Sequence, residues 1–201
     1  MAKKDNRISP EIEEEKTDEE LVYLTLQNQA NFLYLMKRYK AKLLPYIKRI
    51  SGVDDDEAED VLQNVFIKVY KNLNDFDPDL KFSSWIYRIA HNESISNYRK
   101  NKVRPHHHSV SLDDEIINKI IFDFNIEKEI DAVFLRKKIF DILDVLDEKY
   151  KEVIVLKFFE DKDYKEISDI IKKPMGTVAS LMNRAKKEFG KEYQTRQQNL
   201  K

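Results

Sequence analysis

The sequence predicts an all-α protein: two helical modules joined by a flexible linker, the second one a helix-turn-helix. Three observations predict it. Only 3 Gly and 5 Pro occur in 201 residues, too few turn-formers for a sandwich or barrel of many short strands. Apolar residues recur at helical spacing through several long stretches. A polar segment with Pro105 and three consecutive histidines, 106–108, interrupts that pattern mid-chain.

Thr17 or Asp18 can cap a first helix, with glutamates in the turn where the helix dipole favours them; Leu21, Leu24 and Leu26 follow. Residues 30–50 carry a stripe of Phe32, Leu33, Leu35, Met36, Tyr39, Leu43, Leu44 and Ile47. Pro45 lies inside it and predicts a kink or break. Ser51-Gly52 punctuates. Segment 54–60, six acids in seven positions, makes the first turn of a third helix with Val61, Leu62, Val65, Phe66, Val69 and Leu73 inward. After a turn at 74–78, a fourth helix spans 82 to about 100. Residues 101–125 are linker with a short helix at 116–122. Periodicity resumes over 127–146 through Ile130, Val133, Phe134, Ile139, Ile142 and Leu143. Three shorter helices follow at about 147–159, 164–171 and 175–193. The resulting division is 1–17 disordered acidic lead-in, 18–101 first module, 102–128 linker, 129–193 second module and 194–201 tail.

Composition excludes several functions. No cysteine is present, so a disulfide scaffold, a cysteine zinc site and thiol catalysis are out. No apolar run approaches the roughly 20 residues of a membrane span, and the N-terminus lacks the apolar core of a signal peptide. A cytoplasmic protein without membrane insertion is the expectation. Net charge is −1, but it is segregated. Residues 111–131 carry 7 acids and 2 lysines, while 175–201 carry 6 basic residues and 2 acids. Segregation along the chain matters more for partners than the total.

Two constellations carry function. In the second module, Ile167, Ile170, Ile171, Val178 and Leu181 can close a small core between two short helices, the spacing of a helix-turn-helix. Thr177, Ser180, Asn183 and Arg184 share the outer face, with Lys187 further along. Such side chains reach phosphates and base edges, though a three-helix bundle with a solvated basic face has the same pattern. In the first module, Phe82, Trp85, Tyr87 and Arg88 lead through Asn92 to Asn97, Arg99 and Lys100. Interleaved rings and cations suit single-stranded nucleic acid; core packing explains the three-residue spacing of Phe82 and Trp85 as well. The histidine run has no acid or histidine at ligand spacing, and segment 54–60 lacks the glycine and alternation of a calcium loop. No metal, cofactor or catalytic residue is expected.

Glu59-Asp60-Val61-Leu62-Gln63-Asn64-Val65-Phe66, then Phe76-Asp77-Pro78, then Phe82-Ser83-Ser84-Trp85-Ile86-Tyr87-Arg88-Ile89-Ala90 resembles region two of the bacterial sigma-70 family, nearest its extracytoplasmic-function group. The stretch from Leu146-Asp147-Glu148 to Lys187, with Pro174-Met175-Gly176-Thr177-Val178, resembles region four. The resemblance implies a transcription initiation factor that directs core RNA polymerase to promoters and assists melting. It implies a core-binding face on the third helix at Asp60, Gln63, Asn64, Lys68 and Lys71, where the family usually has Glu in place of Asn64. It implies base reading by Asn92, whose amide donates and accepts, on extruded non-template DNA. In region four it implies duplex contacts from Lys157, Thr177, Ser180, Asn183, Arg184 and Lys187. Ala179 and Leu181 stand where the family often has Lys or Arg, so weak DNA binding by this module is expected. Free members of the family have their modules packed together or held by an inhibitor, which makes an anti-sigma factor a candidate partner. A helix-turn-helix repressor and an all-helical metal hydrolase are the rival readings. The first leaves the Gln63 and Trp85 motifs idle; the second has His91 as its one helical histidine.

Overall fold

A computed structural model of the chain describes residues 16–100, 114–124 and 132–198. The lead-in up to residue 15, the histidine run and most of the linker lie outside the described residues, which are helical with short turns and carry no strand. No helix among them is long and apolar enough to cross a membrane.

Helix α1, Asp18–Gln27, starts at a reciprocal cap: Glu20 N–H donates to Thr17 Oγ1 at 3.2 Å and Thr17 N–H to Glu20 Oε2 at 2.8 Å. A 3₁₀ turn at Gln29–Asn31 leads into α2, Phe32–Ser51. Of the kink or break expected at Pro45, the break does not occur: α2 runs through it as one helix. Leu43, Tyr46 and Ile47 around it are fully buried, and packing on both sides outweighs one missing N–H bond. The helix stops at Gly52, whose φ of 68° is left-handed and cheap only for glycine. Asp54 caps α3, Asp55–Lys71, by accepting from Glu57 N–H at 2.9 Å. Helix α4, Phe82–Lys100, has its first N–H taken by Glu19 of α1 at 3.0 Å. Helices α2, α3 and α4 pack against one another around Leu35, Tyr39, Ile47, Leu62, Val65, Phe82 and Ile86.

The C-terminal module begins within the expected linker. Asp114–Phe124 is a helix, α5, two residues longer at each end than predicted. Ile117, Ile120 and Phe124 form a buried seam, and the Phe124 ring sits 5.4 Å from Phe158 and 4.8 Å from Phe189. That seam makes α5 part of the module rather than a flexible tether. Helix α6, Ala132–Val145, buries Leu135, Ile139, Ile142 and Leu143. Val133 and Phe134, expected inside, are exposed at 71% and 41%. Helix α7, Glu148–Ile154, does not continue as α-helix to residue 159; Val155–Phe159 is a π turn. A π turn re-aims the chain by a residue, here burying Val155, Leu156 and Phe158 together. Helices α8, Tyr164–Ile171, and α9, Met175–Gln198, complete the helix-turn-helix. The turn places Lys172 in the left-handed region at φ 54°, and α9 runs five residues past its expected end.

Candidate nucleic-acid and polymerase interfaces

Three exposed faces carry the sequence-predicted residues. The first is on α9. Thr177, Ser180, Asn183, Arg184 and Lys187 all face solvent, and with Gly176 and Ala179 most of them line a shallow concavity of about 460 Å³. Val178, Met182, Ala185 and Phe189 point the other way and are buried. Helical periodicity therefore splits α9 into a core face and a polar, cationic face. Lys157 is half-buried on the π turn. Lys186 is turned aside and paired with Asp123 of α5 at 2.8 Å.

The second face is on α3. Asp60, Gln63, Asn64, Lys68 and Lys71 are all exposed, and Lys68 is ion-paired with Glu93 of α4. Sequence reasoning missed the centre of this surface. Phe32, Met36, Gln63, Phe66, Ile67, Tyr70 and Lys71 line an almost wholly apolar groove of about 310 Å³. Ile67 is 50% exposed in it and the Tyr70 ring leans on Phe32 at 5.2 Å. The available signal was an isoleucine on an otherwise polar helix face.

The third face belongs to α4, and here the structure divides the candidates. Phe82, Trp85 and Tyr87 are not surface rings. Phe82 is fully buried and Trp85 nearly so; each meets Phe76 edge-on, at 5.4 and 5.5 Å, and the two tilt against each other at 5.7 Å. Close ring packing at these angles is core stabilisation, the second of the two readings that the spacing of Phe82 and Trp85 allowed, and it leaves neither ring as a surface stacking platform. Tyr87 is buried beneath the C-terminal module. Arg88 is half-buried; Asn92 and Arg99 are exposed; Asn97 reaches Glu57 at 3.5 Å. The side chain of Lys100 lies outside the described residues.

His91, Asn92, Ile95, Ser96 and Arg99 form one wall of a cleft of about 550 Å³ between the modules; Glu152, Ile171 and Lys173 form the other. Buried His91 shares a hydrogen bond with the Tyr46 hydroxyl at 3.2 Å, and its Nε2 lies 3.8 Å from Glu152. Burial pushes the imidazole down to about 4 and the Glu152 carboxyl up to about 7. At neutral pH the imidazole is therefore uncharged, and the carboxyl gives up its proton far less readily than an exposed glutamate.

Against known proteins, residues 35–104 match the family model of Sigma-70 region 2 and residues 136–189 that of Sigma-70, region 4. The chain is 33% identical over 174 residues to the ECF RNA polymerase sigma factor SigW of Bacillus subtilis, covering 82% of this chain and 90% of that one. It is 30% identical over 192 residues to the ECF RNA polymerase sigma-E factor of Escherichia coli K12, covering 91% and 97%. Among solved structures, CnrH in complex with the cytosolic domain of CnrY superposes with a TM-score of 0.63 at 23% identity, covering 87% of this chain and 95% of that one. The sigma factor RpoE of Bartonella quintana, in complex with the anti-sigma factor NepR, gives 0.55 at 20% identity, covering 79% and 96%. These two likenesses concern the fold.

Proposed function

The chain belongs to the sigma-70 family, in its extracytoplasmic-function group, and from that premise we propose how its surfaces divide the work of starting transcription. It directs core RNA polymerase to promoters and assists their melting; core enzyme and promoter DNA are its partners. Residues 18–101 serve as region 2 and 129–193 as region 4, the latter extended by α5. Region 2 docks on core polymerase through α3: Gln63 and Lys71 line the apolar groove of Ile67 and Tyr70, and Asp60, Asn64 and Lys68 are exposed on the same helix. A polar rim about an apolar centre is the anatomy of a protein interface. Melted promoter DNA is read on α4 by Asn92, with Arg88, Asn97, Arg99 and Lys100 tracking the backbone. Phe82 and Trp85 support that helix from beneath. Region 4 sets the α9 face of Thr177, Ser180, Asn183, Arg184 and Lys187 in a major groove, with Lys157 flanking.

Bond making belongs to the polymerase, and no catalytic step is assigned to this chain. It acts in the cytoplasm, where core enzyme and promoters are. An anti-sigma factor is a partner of the kind named for the Bartonella relative.

The observation that carries this division is the pair of polar faces, on α3 and α9, each opposite a fully buried apolar stripe. Run-off transcription with purified core enzyme on a promoter library tests it. Specific transcripts that depend on the chain are expected, and their loss with Asp60→Lys/Gln63→Glu is expected while the fold persists. Wild-type core affinity in that folded double variant would displace the docking face from α3.

A further inference from the structure

Two buried glutamates face the N-terminal module, and they are treated differently. Glu160 accepts from Arg49 Nη1 at 3.0 Å and from the Tyr87 hydroxyl at 2.7 Å. Glu152 accepts a hydrogen bond from no described residue; its carboxyl lies 3.8 Å from His91 Nε2, beyond hydrogen-bond reach. Glu152 and His91 are each 8% exposed, and both line the 550 Å³ cleft. A buried polar group without a partner is costly and rare, so this end of the cleft is built for one. Burial, with Glu148 beside it, is what holds the Glu152 carboxyl up at about 7.

The groups that face the cleft have fixed roles. The wholly buried Tyr46 hydroxyl has His91 Nδ1 as its one hydrogen-bond partner among the described residues, at 3.2 Å. Donation from that hydroxyl makes Nδ1 the acceptor and assigns the imidazole proton to Nε2. The inner end therefore sets an N–H donor beside a carboxylate acceptor. Ile95 and Ile171 supply apolar wall, and Arg99 and Lys173 complete the lining. Both cations are exposed. Arg99 is paired with Glu148 at 2.8 Å, whereas the Lys173 ammonium has no ion-pair partner among the described residues.

Buried donor and acceptor, apolar wall and exposed cations complement one class of ligand. The pairing edge of guanine carries an acceptor, O6, next to two donors, N1–H and N2–H. A carboxylate takes both donors, and an imidazole N–H meets O6. Adenine and cytosine each offer a single amino donor on that edge and leave one carboxylate oxygen unpaired. Isoleucine side chains cover the faces of a flat ring, and a phosphate on the ribose takes ammonium and guanidinium donors. The cleft volume falls within the range of about 300–1,000 Å³ usual for small-molecule sites. We propose that the cleft between α4 and the α7–α8 wall binds a guanine mononucleotide, with Glu152 and His91 on the base edge and Lys173 and Arg99 on the phosphate. The proposal goes beyond the polymerase and promoter surfaces and rests on neither.

Calorimetric titration of the full chain, without DNA or polymerase, tests it. Guanosine monophosphate is expected to bind at least tenfold tighter than adenosine monophosphate, with inosine monophosphate, which lacks the amino group, between them. No binding overturns the proposal and leaves the cleft to water. Equal binding of all three overturns it too, because the base edge is then not read. Glu152→Gln keeps the shape but turns one acceptor oxygen into an amide donor. It should weaken guanosine monophosphate at least tenfold and shift the preference to xanthosine monophosphate, which has a carbonyl in place of the amino group. Loss of both ligands in the folded variant, or of neither, overturns the assignment of Glu152 and with it the proposal. If that variant fails to fold, Lys173→Ala on the exposed lysine must weaken guanosine monophosphate at least threefold and leave guanosine unchanged; an equal effect on both, or none, overturns it.

Discussion

Asn92 stands exposed on α4, beside a buried histidine and across the cleft from Lys173. If it reads an extruded base, Asn92→Ala removes base-edge hydrogen bonds worth roughly 1–3 kcal/mol of discrimination. Core affinity stays unchanged, because the proposed docking face lies on α3. Open-complex formation falls, and a pre-melted bubble template restores part of it, since unpairing no longer opposes binding. Permanganate footprinting on duplex and bubble reads both, and equal thymine reactivity on the duplex removes Asn92 from the site. His91, one residue earlier, supports a pH prediction. It faces Tyr46 and Glu152, with Glu148, Arg99 and Lys173 nearby. Its lowered folded value, about 4, means a contribution to stability present above 6.5 and lost as pH falls through 4. Glu152, raised to about 7, contributes below 4.5, and that is lost as pH rises through 7. Between pH 4.5 and 6.5 the two slopes oppose and cancel. His91→Gln removes one slope, so between pH 5 and 7 the variant loses about 2 kcal/mol relative to wild type. Urea midpoints at the two pH values measure it, and parallel pH profiles would refute it.

At the scale of elements, regular patterns were legible and exceptions to them were not. The acidic first turn of α3, the cap at Thr17 and the split faces of α9 follow from capping chemistry and a 3.6-residue period, and all three are present. The π turn was not legible, because Val155, Leu156 and Phe158 fit an α-helical stripe equally well and only packing selects the register. The Phe82–Trp85 spacing is the same for a core pair and a stacking pair. Phe76 decides it, sitting 5.4 and 5.5 Å from the two rings. The α3 groove escaped notice because Ile67 and Tyr70 interrupt a polar face instead of forming a stripe. Burying an isoleucine contributes about 1.5–3 kcal/mol. Ile67→Glu should therefore weaken core binding at least tenfold while leaving the melting temperature within a few degrees, since the side chain is half-exposed in the free chain. Titration of labelled core enzyme checks this; unchanged affinity excludes the groove from the interface. Helix α5 makes a second test. Phe124→Ala empties the space between Phe158 and Phe189 and should cost about 3 kcal/mol, read as a lower urea midpoint. A flexible tether would show no change.

Over the whole molecule, net charge conceals how acids and bases are arranged. The acidic segment 111–131, with 7 acids and 2 lysines, has the charge to shield the basic helices. Of the contacts it makes to α9, Asp123 reaches Lys186 at 2.8 Å, but Lys186 lies off the exposed face of Thr177, Ser180, Asn183 and Arg184. The larger shielding is between modules, where region 4 supplies the acids and region 2 the bases: Arg49–Glu160, Lys81–Glu166 and Arg99–Glu148. No periodicity argument could have paired residues 111 positions apart. With region 4 packed on α4, the α9 face of Thr177, Ser180, Asn183, Arg184 and Lys187 remains exposed, as do Asn92 and Arg99 of α4, while Tyr87 and His91 are buried. The face proposed to enter a major groove is a short one on α9, lacking cations at Ala179 and Leu181. Few phosphate contacts mean low affinity and a shallow salt slope together. Wild-type protein without polymerase should bind promoter duplex in the micromolar range or weaker, scarcely better than random duplex. In holoenzyme the proposed α4 contacts to melted strand add to those of α9, so its promoter affinity should be higher and fall more steeply with salt. Anisotropy titrations at 50 and 200 mM salt, on promoter and scrambled duplex, measure both slopes. Nanomolar, sequence-specific binding by the free chain would mean that α9 suffices alone and that module separation adds nothing to promoter recognition.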